Sequence, residues 1–345
     1  MPGIFSEFKI KDLELKNRIV MAPMCMDSAS EGYANDWHII HYATRAIGGI
    51  GLIIIEATAV SSEGKIESSD LGIWDDKHIE GLKDIVDKVH KHGGKIGIQL
   101  NHAGRKASLD NERVIAPSNI PFSEEYKVPE KMTHTDIKSI IESFKESARR
   151  ALIAGFDIIE LHGAHGYLIN QFMSPLSNKR DDEYGGSIEN RARFLFEVIQ
   201  AVKDEWPHHK PIMLRVSGEE YDENGNSTED IAEIINLVKN FGIDIVNISS
   251  GGIIPKRIIT YPGYQIEVGK KIRNLTGIPA LVGGLVTDAS LADEIIWNER
   301  GDLVYLGREL LRNPYWALQA AKTLGDDVEW PKQYERSKNI RKFGF

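Results

Sequence analysis

The chain has 345 residues with 41% hydrophobic and 27% charged side chains, the composition of a globular protein with room for a large core. Its 42 Lys and Arg stand against 51 Asp and Glu, and a net charge of −9 argues against nucleic acid or an anionic membrane surface as partner. A lone cysteine, Cys25, excludes an intrachain disulfide, a thiolate zinc cluster and an iron–sulfur centre, and fits a reducing compartment.

The opening stretch MPGIFSEFKIKDLELKNR lacks the apolar core of a signal peptide, and no run nears the roughly 18–20 apolar residues of a membrane span, so a cytoplasmic protein is expected. Its first fifteen residues are expected to form a small hairpin at the bottom of the molecule. Short apolar runs then recur and predict strands over Arg18–Met24, Gly51–Ala57, Lys95–Asn101, Phe156–His162, Ile212–Val216, Ile243–Ser249, Ala280–Gly284 and Leu303–Gly307. Several, such as GLIIIEA, are continuous Val/Ile/Leu runs, the pattern of parallel strands buried on both faces. Amphipathic stretches lie between them, for example HIEGLKDIVDKVHKHGG and DIKSIIESFKESARRALIAGF, the latter stopping at Ala154-Gly155.

Eight strands alternating with helices predict a (β/α)8 barrel, a TIM barrel formed by residues 1–345 as one domain, with 324–345 as a C-terminal extension. The alternative is an open doubly wound sheet, but no strand leads into G-x-G-x-x-G, and IGGIG at Ile47–Gly51 precedes a strand instead. Three connections, 102–135, 164–189 and 250–263, exceed the usual length of about 2–6 residues. All follow strands and so belong to the C-terminal face, where barrels carry their active sites.

At the exit of the fourth strand runs LHGAHGYLINQFMSP, with His162, His165 and Tyr167. Two imidazoles this close could share a zinc ion, yet no H-E-x-x-H, cysteine or carboxylate pattern completes such a site, and no metal is expected. As ordinary loop residues they would bond to the backbone. The reading preferred at a barrel strand exit is a clamp: two N–H donors on one carbonyl oxygen, with the tyrosine as a nearby acid. Gly283-Gly284 and Gly307-Arg308 end the seventh and eighth strands, where barrels often bind phosphate through backbone N–H groups. Arg215, inside IMLRVS, needs an anionic or polar partner, either a ligand or a structural carboxylate. Gln99 in IGIQLNHAGRKA is a weaker candidate of the same kind, and Cys25 alone reads as a small buried residue.

Long segments at matching order and spacing carry a resemblance. LGIWDD, IQLNHAGRKA, GFDIIELHGAHGYLINQFMSPLSNKRDDEYGGSIENRARF and YLGRELLRNPYW, within a match from FSEFKIKDLELKNRIVMAPMCM to LGRELLRNPYWA, resemble the Old Yellow Enzymes, and among them the bacterial thermophilic-like NADPH dehydrogenases. The resemblance implies an FMN-bearing barrel and an ene-reductase that uses NADPH or NADH. It places Ala22, Pro23, Met24 and Cys25 along the flavin ring, with Cys25 tuning its potential, and Ala57 and Gln99 against the isoalloxazine. It further places Arg215 at the N1/O2 edge and Gly283, Gly284, Gly307 and Arg308 at the ribityl phosphate. His162 and His165 would bind the carbonyl of an enone, enal or maleimide, and Tyr167 would protonate its α-carbon after hydride transfer. Where the subclass commonly has a tyrosine, this chain has Asp27, and QYER, ending at Arg336, continues into SKNIRKFGF. Both departures concern the substrate rim and the contact that Arg336 would make in a homodimer or homotetramer. The alternatives are a redox-neutral isomerase on the same barrel, a flavin-binding protein without turnover, and the catalytic module of a larger enoate reductase. One cysteine and the ending of the chain after the barrel speak against the last.

Overall fold

The computed structural model describes residues 2–109 and 113–338. Eight strands form its centre: β1 (Ile19–Met21), β2 (Leu52–Ala59), β3 (Lys95–Asn101), β4 (Ile158–Gly163), β5 (Ile212–Ser217), β6 (Ile245–Ser249), β7 (Ala280–Val282) and β8 (Leu303–Leu306). Each pairs in parallel with the next, and β8 pairs back onto β1 from Val304↔Ile19 to Leu306↔Met21, which closes the barrel as predicted. Eight helices wrap it: α1 (Asp36–Ile47), α2 (Ile79–Lys91), α3 (His134–Ala154), α4 (Ile188–Glu205), α5 (Thr228–Val238), α6 (Ile266–Thr276), α7 (Ala289–Trp297) and α8 (Trp316–Leu324). Local sequence sets their ends. In α3, Thr133 and Asp136 form a capping box, and Gly155 takes the left-handed conformation, φ 94°, that closes the last turn.

The barrel interior begins with an apolar layer that includes Leu52, Ile54, Ile158, Met213 and Ile245. Below it a hairpin of Phe8–Ile10 and Leu13–Leu15 inserts Leu13 and Leu15, 4% and 1% exposed, and plugs the N-terminal mouth. The other side chains of the strands, Ile53, Ile55, Ile98 and Ile159 among them, pack under the helices.

At the C-terminal mouth the three long connections are tied to one another. Arg105, after β3, donates Nη2 to the Ile253 carbonyl at 2.5 Å and Nη1 to Ile120 at 3.3 Å. Gln171, in a short helix Leu168–Met173 after β4, donates to Ala103 and Gly166. Residues 22–35 after β1 and 60–78 after β2 add two more long connections that strand spacing alone does not single out. Of the C-terminal extension, residues 339–345 lie outside the described residues.

Candidate active site

His162 lies at the end of β4, 3% exposed, its ring edge-on to His165 at 5.2 Å and to Tyr167 at 4.8 Å between centroids. His165 sits in the left-handed region at φ 59°, held by three contacts. Its N–H donates to Ser217 Oγ at 2.9 Å, its Nε2 meets Ser249 Oγ at 2.6 Å, and its carbonyl accepts Lys106 Nζ at 2.9 Å. The next residue must be glycine: Gly166 has φ 74°, and a Cβ there would lie 2.3 Å from the Gly252 carbonyl oxygen.

Burial pushes both imidazoles well below their ordinary pKa, and the cations of Arg215 and Lys106 push the same way, so both rings are neutral at pH 7. A neutral imidazole keeps one N–H to donate. On His162, Nδ1 accepts the Ala164 N–H at 3.3 Å, which assigns that proton to Nε2. The Tyr167 phenol is raised, by burial first and then by Cys25 and Asp70, so it holds its proton. Lys106 Nζ stands 5.0 Å from the Tyr167 ring centre and 4.4 Å from that of Phe122, and burial lowers its pKa to about 8. The only sequence signal for Lys106 is the paired basic residues of GRKA just beyond a strand exit.

Beside this group lies a cleft of about 340 Å³, bordered by Ala22, Pro23 and Met24 after β1, Arg215 on β5, and Gly284, Gly307 and Arg308 after β7 and β8. Arg215 is buried, 7% exposed; its guanidinium lies 5.8 Å from the centre of the Tyr305 ring, and its Nε has no partner among the described residues. Such an atom calls for an acceptor from a bound group. Gln99, which faces Ala57 across the β2–β3 register, donates Nε2 to Glu160 at 2.7 Å and leaves its Oε1 without a described partner. Around Gly307 a Cβ would meet only Met24 Sδ, 3.7 Å away, and the exposed Arg308 follows. A buried guanidinium with a free Nε, an open glycine backbone and an exposed arginine fit a planar ligand ending in a phosphate, as FMN does. Gly283 has a second reason to be glycine, since its Cβ would enter the Tyr305 ring at 2.7 Å.

Cys25 is exposed, and its sulfur lies within 4.8 Å of carboxylate oxygens of Asp27 and Asp70. Asp27 is exposed at φ 48°, and no described residue donates to its side chain. Arg336 sits in a turn at Glu335–Ser337 and is exposed, with no hydrogen bond or ion pair to the His162–Tyr167 group among the described residues. Size alone does not select the site. A larger groove of about 610 Å³ lies at the opposite, N-terminal end, bordered by Lys11, Trp206, Lys210 and Asp244, but it lacks the neutral histidine pair and its tyrosine.

The sequence model of the NADH:flavin oxidoreductase / NADH oxidase family matches residues 3–327. An NADPH dehydrogenase of Clostridium acetobutylicum is 53% identical over 97% of this chain and 99% of its own length. One from Geobacillus sp. strain WCH70 is 52% identical over 96% and 98%. Among solved structures, morphinone reductase in complex with tetrahydroNAD superposes with a TM-score of 0.81, 28% identity and coverage of 96% of this chain and 93% of that one. A 2-naphthoyl-CoA reductase shares the fold, with a TM-score of 0.88 at 24% identity, and this chain spans 52% of its length. Matched over residues 3–327 and about half identical to NADPH dehydrogenases along nearly its whole length, this closed barrel belongs to the FMN-dependent NADH:flavin oxidoreductase / NADH oxidase family, that of the Old Yellow Enzymes.

Proposed function

We propose that the protein is an NAD(P)H dehydrogenase that reduces the activated C=C bond of small α,β-unsaturated carbonyl compounds: enones, enals and maleimides. The observation that carries this is the packing of two neutral histidines and a protonated tyrosine at one strand exit, beside the cleft that contains Arg215. The names of its relatives, NADPH dehydrogenase and morphinone reductase, support it.

Bound FMN supplies a carrier that takes hydride from a nicotinamide and gives it to a second substrate. Ala22, Pro23, Met24, Cys25 and Ala57 would lie along its ring, and the free Oε1 of Gln99 would accept a hydrogen bond from its edge. Arg215 would oppose negative charge at the N1/O2 edge, which offsets the cost of its own burial. Gly283, Gly284, Gly307 and Arg308 would hold the phosphate. His162 and His165 donate to the substrate carbonyl and stabilise the charge that gathers on its oxygen. Neutral donors suit this task, because they give up no proton to that oxygen. Tyr167 delivers the Oη proton to the α-carbon. Asp27 lines the rim, and Arg336 would reach a site only across a homodimer or homotetramer contact. Trp37, Ile40 and Leu311, exposed by 57%, 64% and 41%, support such an assembly.

The test is anaerobic. The yellow protein is reduced with NADPH or NADH, and an enone series is then added. Bleaching by a nicotinamide followed by recovery of colour with an enone is expected. Isomerisation of an enone with no nicotinamide consumed would replace this reading with a redox-neutral one. Bound FMN that no nicotinamide reduces would leave a flavin-binding protein without turnover.

A further inference from the structure

Glu56 is the extra residue of a bulge in β2. Ile55 pairs with Ile98 and Ala57 with Gln99, so nothing on β3 faces Glu56. Below the bulge β2 alternates: Leu52 and Ile54 enter the barrel, while Ile53 and Ile55 face the helices. Continued alternation would send Glu56 inward and Ala57 outward. The bulge reverses that phase and turns Glu56 toward α1. Bulges are rare in parallel pairs and concentrate beside active sites, where they re-aim a side chain.

The Glu56 carboxyl, 1% exposed, is held from two sides. From α1, Tyr42 donates its hydroxyl to Oε1 at 3.1 Å and accepts the Glu56 N–H at 3.0 Å, and His38 Nε2 lies 3.4 Å from Oε1. From the other side, Oε2 accepts the Met26 N–H at 2.8 Å. That N–H belongs to the peptide that joins Cys25 to Met26.

We propose that Glu56 is a positioning residue for Cys25, its carboxyl gripping the Cys25–Met26 peptide from behind and so standing one peptide away from the thiol. The grip stands on contacts within this chain, whereas its value to the enzyme rests on the proposed function, which puts Cys25 beside FMN.

Tyr42 and His38 face Glu56 from α1, Cys25 and Asp27 from the connection after β1, and Asp70 from the connection after β2. Burial raises Glu56 to about 7 against the two hydrogen bonds that lower it, and Asp70 is raised to about 6. The Cys25 thiol is raised, by desolvation first and then by Asp70, Glu56 and Asp27. The sign follows. As pH rises through about 7, Glu56 becomes an anion and opposes a second negative charge on Cys25.

Cys25 is the only cysteine, so an aromatic disulfide reagent labels it alone. Labelling rates are measured from about pH 5.5 to 9 in wild type, Glu56→Gln and Tyr42→Phe, each with and without FMN. A thiol far below its pKa labels about tenfold faster per pH unit. Wild type is expected to rise less steeply than that near pH 7. Glu56→Gln should rise more steeply and label roughly three- to tenfold faster than wild type by pH 8. Tyr42→Phe removes a donor to Oε1, so the shallow region should move to higher pH. The contribution of Asp70 is common to all three proteins. If the profiles run parallel, or wild type rises tenfold per unit throughout, the proposal is overturned; a purely structural Glu56 would lower thermal stability without changing the profile's shape. Expected profiles without FMN, combined with a flavin midpoint potential indifferent to Cys25→Ala, would keep the grip and reject the placement of FMN.

Discussion

The two mouths of the barrel are built from the same eight strands and closed by opposite means. At the N-terminal mouth Leu13 and Leu15 plug an apolar layer, and burial alone stabilises the contact. One layer toward the C-terminal mouth the interior turns polar. Gln99 and Asn247 donate to Glu160 at 2.7 and 2.6 Å, while Asn247 Oδ1 and Arg215 Nε have no described partner. Glu160 is fully buried, and its pKa is raised by desolvation against the pull of Arg215. The lower half therefore concentrates folding stability, and the upper half holds polar groups whose cost a ligand bound there would offset.

The sharpest way to break this comparison is Tyr167→Phe. Reduction by a nicotinamide should stay nearly intact, while reoxidation by an enone slows roughly 10²–10⁴-fold, the value of a positioned acid. Stopped-flow traces with equal slowing of both halves would make Tyr167 a wall of the cleft instead. Leu15→Ala probes the other mouth. It should cost about 2–5 kcal/mol in urea unfolding and leave turnover per FMN-loaded chain unchanged. A loss under about 1 kcal/mol would make the hairpin a cover rather than part of the core.

Arg308→Ala should weaken FMN retention tenfold or more, since a charge-assisted contact is worth about 1.5–3 kcal/mol. Fluorescence of released flavin measures this, and unchanged affinity would remove Arg308 from the phosphate site. The smallest effect belongs to Asp27→Asn. If Asp27 lines the rim, its carboxylate would repel a carboxylated substrate by about 1 kcal/mol at 4 Å in water, so the variant should improve enoic acids selectively. The ratio of kcat/KM for one neutral and one acidic substrate, at low salt, decides whether Asp27 lines the pocket; an unmoved ratio places it outside.

Both mouths differ as well in how far the sequence reveals them. Strands buried on both faces must be apolar at every position, so runs such as GLIIIEA announce β2 without any partner in view. Strand ends were less legible. Apolar continuity carries β1 to Met24, but Ala22–Met24 leave the sheet to border the cleft, and β2 runs on to Ala59 past its bulge. His162, His165, Tyr167 and Arg215 stand out because polar groups at the end of an apolar run are costly without a purpose. Lys106 does not stand out, because a charge just beyond a strand looks the same whether it faces solvent or the site, and Glu56, though inside GLIIIEA, gives no sign of the bulge that aims it.

The sequence by itself determined the eight-stranded alternation, the plugging hairpin and the candidate clamp, all of which follow from local periodicity and composition. Only the tertiary structure decided which polar groups meet. His165 finds Ser249 on β6 at 2.6 Å, Lys106 crosses from the connection after β3 to the His165 carbonyl, and Glu56 reaches back to the Cys25–Met26 peptide. Those contacts join residues tens of positions apart. They depend on the order in which the strands close, and in the case of Glu56 on a single bulge that shifts the phase of β2 by one residue.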